Sequence, residues 1–207
     1  MIEIFFPAMA SLGVGIALGS APGPVQAVLL AETVRGGIGR GLRAMAGANV
    51  TFGLLLVGLA LGLSVVPPNG PALRLLKMAG GALLLWLAAD GLRSSPPAGG
   101  ASTERRALPP VVRGSLAVLL NPGAWLFLGT TGSSLLSTAG QRGSTGGAIL
   151  TALALVVGVA IGDGVVVLVG GMGIRRAGDR VGVWVRRILA CFLAALGVWL
   201  LADGMIR

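Results

Sequence analysis

Along the chain, apolar positions gather into six long runs, roughly 5–34, 44–66, 71–93, 111–137, 146–173 and 184–205. Each approaches or exceeds the roughly 20 residues that a helix rising about 1.5 Å per residue needs to cross about 30 Å of hydrocarbon. The pattern predicts six transmembrane helices, with five and a re-entrant segment as the alternative. Polar stretches separate them: "VRGGIGRGLR", "VPPNGP", "RSSPPAGGASTERRALPP", "STAGQRGST" and "GIRRAGDRVGVWVRR". The third is the longest and is rich in Pro, Ser and Gly, which makes 96–110 the natural linker between an N-terminal half, 1–95, and a C-terminal half, 111–207.

Composition agrees with this solvent. Hydrophobic residues make up 55% of the 207, charged residues only 11%, and the mean hydropathy is +0.91, so the chain reads as an all-α integral membrane protein. The 36 glycines are spread through the apolar runs, where small residues let helices approach closely. A net charge of +9 would suggest nucleic acid if the basic residues formed one patch, but they sit in short segments between spans. Arg35, Arg40, Arg43, Arg93, Arg105, Arg106, Arg113, Arg175, Arg176, Arg180, Arg186 and Arg187 fall in or beside the odd-numbered loops. Arg74, Lys77, Arg142 and Arg207 fall on the other side, a split of 12 to 4 among the 16. The positive-inside rule then assigns the basic loops to the cytoplasm and both termini to the outside. With Arg35 as the first basic residue, the first run lacks a signal peptide's charged start and is expected to stay as a span. Cys191 is the sole cysteine and histidine is absent, which argues against a disulfide, a soft metal site or a cofactor.

Two span ends resemble each other: "LLLWLAADGLR" at 83–93 and "LGVWLLADGMIR" at 196–207, aligning Trp86 with Trp199, Asp90 with Asp203 and Gly91 with Gly204. They close the third and sixth spans, which suggests a duplicated three-helix unit. An odd number of spans per unit inverts the second half, and inverted repeats typify secondary transporters with a site near the midplane. A break in the first span should then have a counterpart in the fourth. "LGSAPGPVQAVLL" (18–30) carries Pro22, Gly23 and Pro24, and "LLNPGAWLF" (119–127) carries Asn121 and Pro122. The repeat is imperfect, because Pro22 lies closer to Asn49 than Pro122 does to Asp163.

Each proline removes an amide donor, so Pro22, Pro24 and Pro122 should free the carbonyls of Leu18, Ser20 and Val118, and in lipid those must face protein or a wet cavity. Pro24 and Pro122 also suit the first turn of a new half-helix, whose free amides favour an anion such as a substrate carboxylate. Gly23 would let backbone approach that ligand. The plainer alternative is a kink made for packing. "GVAIGDGVVVLVG" (158–170) puts Asp163 mid-span, where a charge costs about 2.5–3.5 kcal/mol on insertion scales and calls for a role or a partner. Its repeat counterpart, within a residue, is Asn49, so one half alone carries a titratable group suited to proton coupling. A structural hydrogen bond between helices is the alternative for Asp163. Gln26 and Asn121 are candidate substrate contacts, or satisfy freed backbone. Asp90, Asp203 and Glu32 read as interfacial ion pairs with Arg93, Arg207 and Arg35, about one turn away. Trp86, Trp125, Trp184 and Trp199 read as interface or packing residues, and the glycines of "GVGIALG" and "GVAIG" as close-packing faces.

The P-G-P break, the N-P break, the basic loop "RGGIGRGLRAMAG" and the Asp of "IGDG" together resemble the LysE/RhtB family of amino-acid exporters over most of the chain. The resemblance implies a bacterial inner-membrane protein of about six hydrophobic segments, oligomeric (a dimer), exporting amino acids or close analogues on a proton or ion gradient. Carried over by motif, Pro22, Gly23 and Pro24 match the first signature and Asn121 and Pro122 the second. The chain departs from many relatives in having Gly123 where a Lys is usual and Asn49 where an Asp is common. The sequence therefore predicts export of a small zwitterion at Pro22, Gly23, Pro24, Gln26, Asn49, Asn121 and Pro122, with Asp163 moving a proton. A divalent-metal exporter and a non-transporting scaffold are the alternatives. The first is disfavoured by the lack of histidine and by a single central acid. An enzyme is disfavoured by the absence of a base or nucleophile constellation in the spans.

Overall fold

The computed structural model describes residues 2–61, 70–93 and 108–206. The expected linker at 96–110, save its last three residues, and most of the "VPPNGP" break therefore lie outside the described residues. All regular structure among those described is helical. In chain order the helices are α1 (Ile2–Ser20), α2 (Pro24–Gly36), α3 (Ile38–Ala60), α4 (Gly70–Arg93), α5 (Pro110–Leu119), α6 (Pro122–Gly140), α7 (Thr145–Ile174) and α8 (Val181–Ile206). A single π-helical turn, Leu128–Gly132, lies within α6. Helical hydrogen bonding runs on from Ser133 to Ile206, yet the axis reverses between α6 and α7. A Cβ on Gly147 would lie 3.0 Å from the Ala139 carbonyl oxygen, whereas eight residues of straight helix would separate them by about 12 Å.

Helices α3, α4, α7 and α8 are each long and apolar enough to cross a membrane. α1 with α2, and α5 with α6, are pairs bent by 59° and 55° at short breaks, and each pair counted as one span makes six. The protein is an all-α membrane protein. Its surface carries large apolar side chains such as Phe6, Leu54, Leu75, Trp184, Ile188 and Ile206 on many helices, as a lipid-facing exterior requires. One boundary differs from the sequence pattern. α3 starts at Ile38, well before the apolar run at 44, because Gly37 takes φ 78° and turns the chain from α2 into α3 with no loop. Arg40 and Arg43 thus ride on the first turns of a helix.

The core is helix against helix. α1 and α7 run parallel and meet through glycines: Cβ atoms on Gly15 or Gly19 would strike the backbone of α7 at Leu155 and Val159, and ones on Gly158 or Gly162 would strike that of α1. In lipid no hydrophobic force drives helices together, so such close backbone approach, with its dispersion gain, holds them. Phe52, Leu56, Val118, Leu128 and Leu155 form a buried cluster joining α3, α5, α6 and α7. A second cluster, with Val28, Leu84, Leu87, Leu193 and Leu200, joins α2, α4 and α8. These clusters hold the two bent pairs against the rest of the bundle.

Candidate functional site

Both breaks begin a new helix with a proline in the first turn, where a missing amide costs no hydrogen bond: α2 starts at Pro24 and α6 at Pro122. At the second break Asn121 is the cap, its Oδ1 accepting from the Gly123 amide at 3.0 Å. The first break has no side-chain cap. α2 has 13 residues and α5 has 10, so both breaks lie roughly 15–20 Å along the helix from the end where Arg35, Arg40 and Arg113 gather. They share one level, nearer the basic end. The long arm is α1 in one pair and α6 in the other.

The freed carbonyls are more fully used than the sequence suggested. Leu18 O accepts from the Ala21 amide at 3.3 Å and from Gln26 Nε2 at 3.4 Å, and Gly19 O accepts from Gln26 Nε2 at 3.1 Å. Val118 O accepts from the Asn121 amide at 3.1 Å, and Leu119 O from Trp125 Nε1 at 2.7 Å. The expectation that Leu18 and Val118 offer free carbonyls to a ligand is corrected, because tightened turns and nearby side chains satisfy them first.

Asp163 lies opposite the first break on α7, 1% exposed. Its Oδ1 accepts from Gln26 Nε2 at 3.2 Å and its Oδ2 from Asn49 Nδ2 at 3.0 Å, joining α2, α3 and α7 in one polar clasp. Asn49 Nδ2 also donates to Met45 O at 3.1 Å, so both of its donors face acceptors and the amide orientation is settled by them. That leaves Asn49 Oδ1 buried and without a hydrogen-bond partner among the described residues. An orphaned buried acceptor costs about 1–3 kcal/mol unless a water or ligand supplies a donor.

Around the clasp is a cavity of about 250 Å³ whose lining includes Pro22, Gly23, Pro24, Gln26, Asn49, Asn121 and Asp163. The structure thus brings these candidates together. Pro122 is the exception, since it is buried and its neighbours Asn121 and Gly123 line the cavity instead. The sequence reading passed over Phe52, Phe127 and Val159, which also line it. Helical spacing could have found two of them, because Phe52 is one turn from Asn49 and Val159 one turn from Asp163.

A second polar cluster lies at the basic end. Glu32, 1% exposed, is 2.6 Å from Arg40 Nε and 3.1 Å from Arg113 Nη1, while Arg35 is farther at 3.7 Å. Asp90 Oδ2 lies 2.5 Å from Arg35 Nη1 and 2.6 Å from Arg113 Nη2, and the Arg113 guanidinium also covers the Trp86 ring. At the opposite end Asp203 pairs with Lys77 at 2.5 Å. The expected partner of Asp90, Arg93, is corrected: Arg93 is exposed at the end of α4, and Asp90 faces inward to α2 and α5. Arg207, expected beside Asp203, lies outside the described residues.

A bundle of four unbroken apolar spans and two bent helix pairs, the pairs broken at one level around a cavity that holds a membrane-buried carboxylate, has the architecture of a membrane translocator. The family model for the LysE type translocator matches residues 16–204, and the chain belongs to that family. It is a multi-pass membrane transporter that exports small molecules. No curated protein and no solved structure gives a match to the chain.

Proposed function

We propose that the protein is a secondary exporter of amino acids or similar small zwitterions, working by alternating access with a proton carried on Asp163. The observation that carries this reading is the clasp of Gln26, Asn49 and Asp163 inside a cavity framed by both helix breaks. The substrate ammonium would sit between Asp163 and the orphaned Asn49 Oδ1, each an acceptor in a site shielded from water. Its carboxylate would take the amides at the start of α2, where no side chain caps the helix. Protonation of Asp163 would cancel its attraction for the ammonium, which couples substrate release to the proton. Residues 1–95 and 111–207 would form two inverted halves that rock about this centre, with both termini outside a bacterial inner membrane.

A divalent metal fits the cavity poorly, because Asp163 is the only acid among the described residues of its lining and such ions take six or more oxygen ligands. The test is efflux of a labelled amino-acid pool from proteoliposomes with and without a pH gradient. Asp163→Asn keeps the size and should abolish the gradient's effect and slow efflux by at least tenfold. Wild-type efflux rates from that variant, still stimulated by the gradient, would remove Asp163 from the mechanism.

A further inference from the structure

The cavity is graded along its length, and the grading selects a side chain. α3 and α7 run in opposite directions, so stepping from Asn49 to Phe52 on α3 and from Asp163 to Val159 on α7 moves one turn toward the same end of the molecule. Phe127, six residues into α6 from the second break, reaches that same end, and its ring lies 6.1 Å from that of Phe52. All three line the cavity, and Phe52 and Val159 are buried in the cluster that joins α3, α5, α6 and α7. One end of the cavity is therefore the Gln26–Asn49–Asp163 clasp, and the other is a wall of two aromatic rings and a valine. Among the described residues the lining contains no basic side chain.

We infer that the site takes amino acids with an apolar side chain, aliphatic or aromatic, and discriminates against those whose side chain is charged or hydrogen-bonding; this rests on the export reading above. A substrate held by its ammonium at the clasp projects its side chain toward Phe52, Phe127 and Val159. There a methylene gains by leaving water, whereas a lysine ammonium or a serine hydroxyl loses its hydration with no partner to replace it. A second carboxylate, as on aspartate, finds no cation to pair with and lies near Asp163. Size agrees: about 250 Å³ lies below the roughly 300 Å³ at which pockets for drug-sized ligands begin.

The experiment is counterflow into proteoliposomes of the full chain, loaded in turn with leucine, phenylalanine, alanine, serine, lysine or aspartate and challenged with labelled leucine. Leucine and phenylalanine inside should drive uptake at least about tenfold faster than serine, lysine or aspartate, with alanine between, since a pocket distinguishes single methylenes by about tenfold or more. Val159→Thr, nearly isosteric and in a helix, should narrow the leucine-to-serine ratio without abolishing exchange. Equal exchange for serine or lysine and leucine, or a leucine-to-serine ratio unchanged in Val159→Thr, overturns the inference and leaves export of amino acids standing. Absence of exchange with every amino acid overturns both.

Discussion

Replacing Glu32 by Gln tests whether the cluster at the basic end holds the bundle together. The substitution keeps the side chain's size but exchanges a carboxylate for an amide, and it removes the carboxylate shared by Arg40 and Arg113 while Asp90 still faces Arg35 and Arg113. A unit charge pair near 4 Å is worth roughly 4 kcal/mol at an effective dielectric of about 20, so the two close partners, Arg40 and Arg113, supply roughly 8 kcal/mol gross. Much of that offsets the desolvation of Glu32, which is 1% exposed. Breaking a buried pair while leaving its cation in place costs a net of about 3–5 kcal/mol. For a chain of this length each kcal/mol shifts the melting midpoint by about 2–4 °C, so the variant should melt roughly 10 °C lower. Thermal unfolding in detergent, followed by tryptophan fluorescence, reads this directly. Arg113→Met, which removes the guanidinium buried among Glu32, Asp90 and Trp86, should cost a similar amount. The double variant should cost less than the two singles together, by about 0.5–3 kcal/mol, because they share an interaction. A Glu32→Gln midpoint within 2 °C of wild type, at an effect of about 0.6 kcal/mol or less typical of exposed or easily replaced partners in membrane helices, would mean that water or other groups serve the arginines, and the reasoning would fail.

Further outcomes follow from the packing and the charge distribution. Gly158→Val sets a branched side chain against the Leu12 carbonyl and the Ile16 amide of α1, so it should force α1 and α7 apart and abolish monodisperse extraction, while Gly173→Val, with open space around it, should extract normally. Equal yields from the two would show that the glycine contact is dispensable. Gly39→Cys in a Cys191→Ser background places an exposed thiol at the basic end, and an impermeant maleimide should label it in inverted vesicles and not in intact cells. Labelling of intact cells would reverse the proposed orientation.

Several features are local and were therefore legible in the sequence. Span lengths follow from apolar runs because every backbone group in lipid must be satisfied within a helix. The breaks follow from Pro22, Pro24 and Pro122 because a proline lacks a donor wherever it sits. Asp163 stands out because a charge at mid-span needs a partner. Two refinements are local but needed the geometry of the breaks. Gln26 competes with a ligand for the carbonyls that the first break frees, and Asn121 caps its own helix at the amide two residues on.

What sequence by itself determined is thus the solvent, the number of apolar segments, the positions of the breaks along the chain and the identity of the one central acid. Tertiary structure alone decided which face of each helix turns inward. Asn49 meets Asp163 across 114 positions and Glu32 meets Arg113 across 81. Hydropathy cannot pair a residue of one helix with a residue of another, since lipid and protein interior are equally apolar. The rotation is set where glycines let backbones touch and where charges must find one another. That is why Asp90 faces Arg35 and Arg113, not the arginine one turn away, and why Phe52 and Phe127 come to face the cavity.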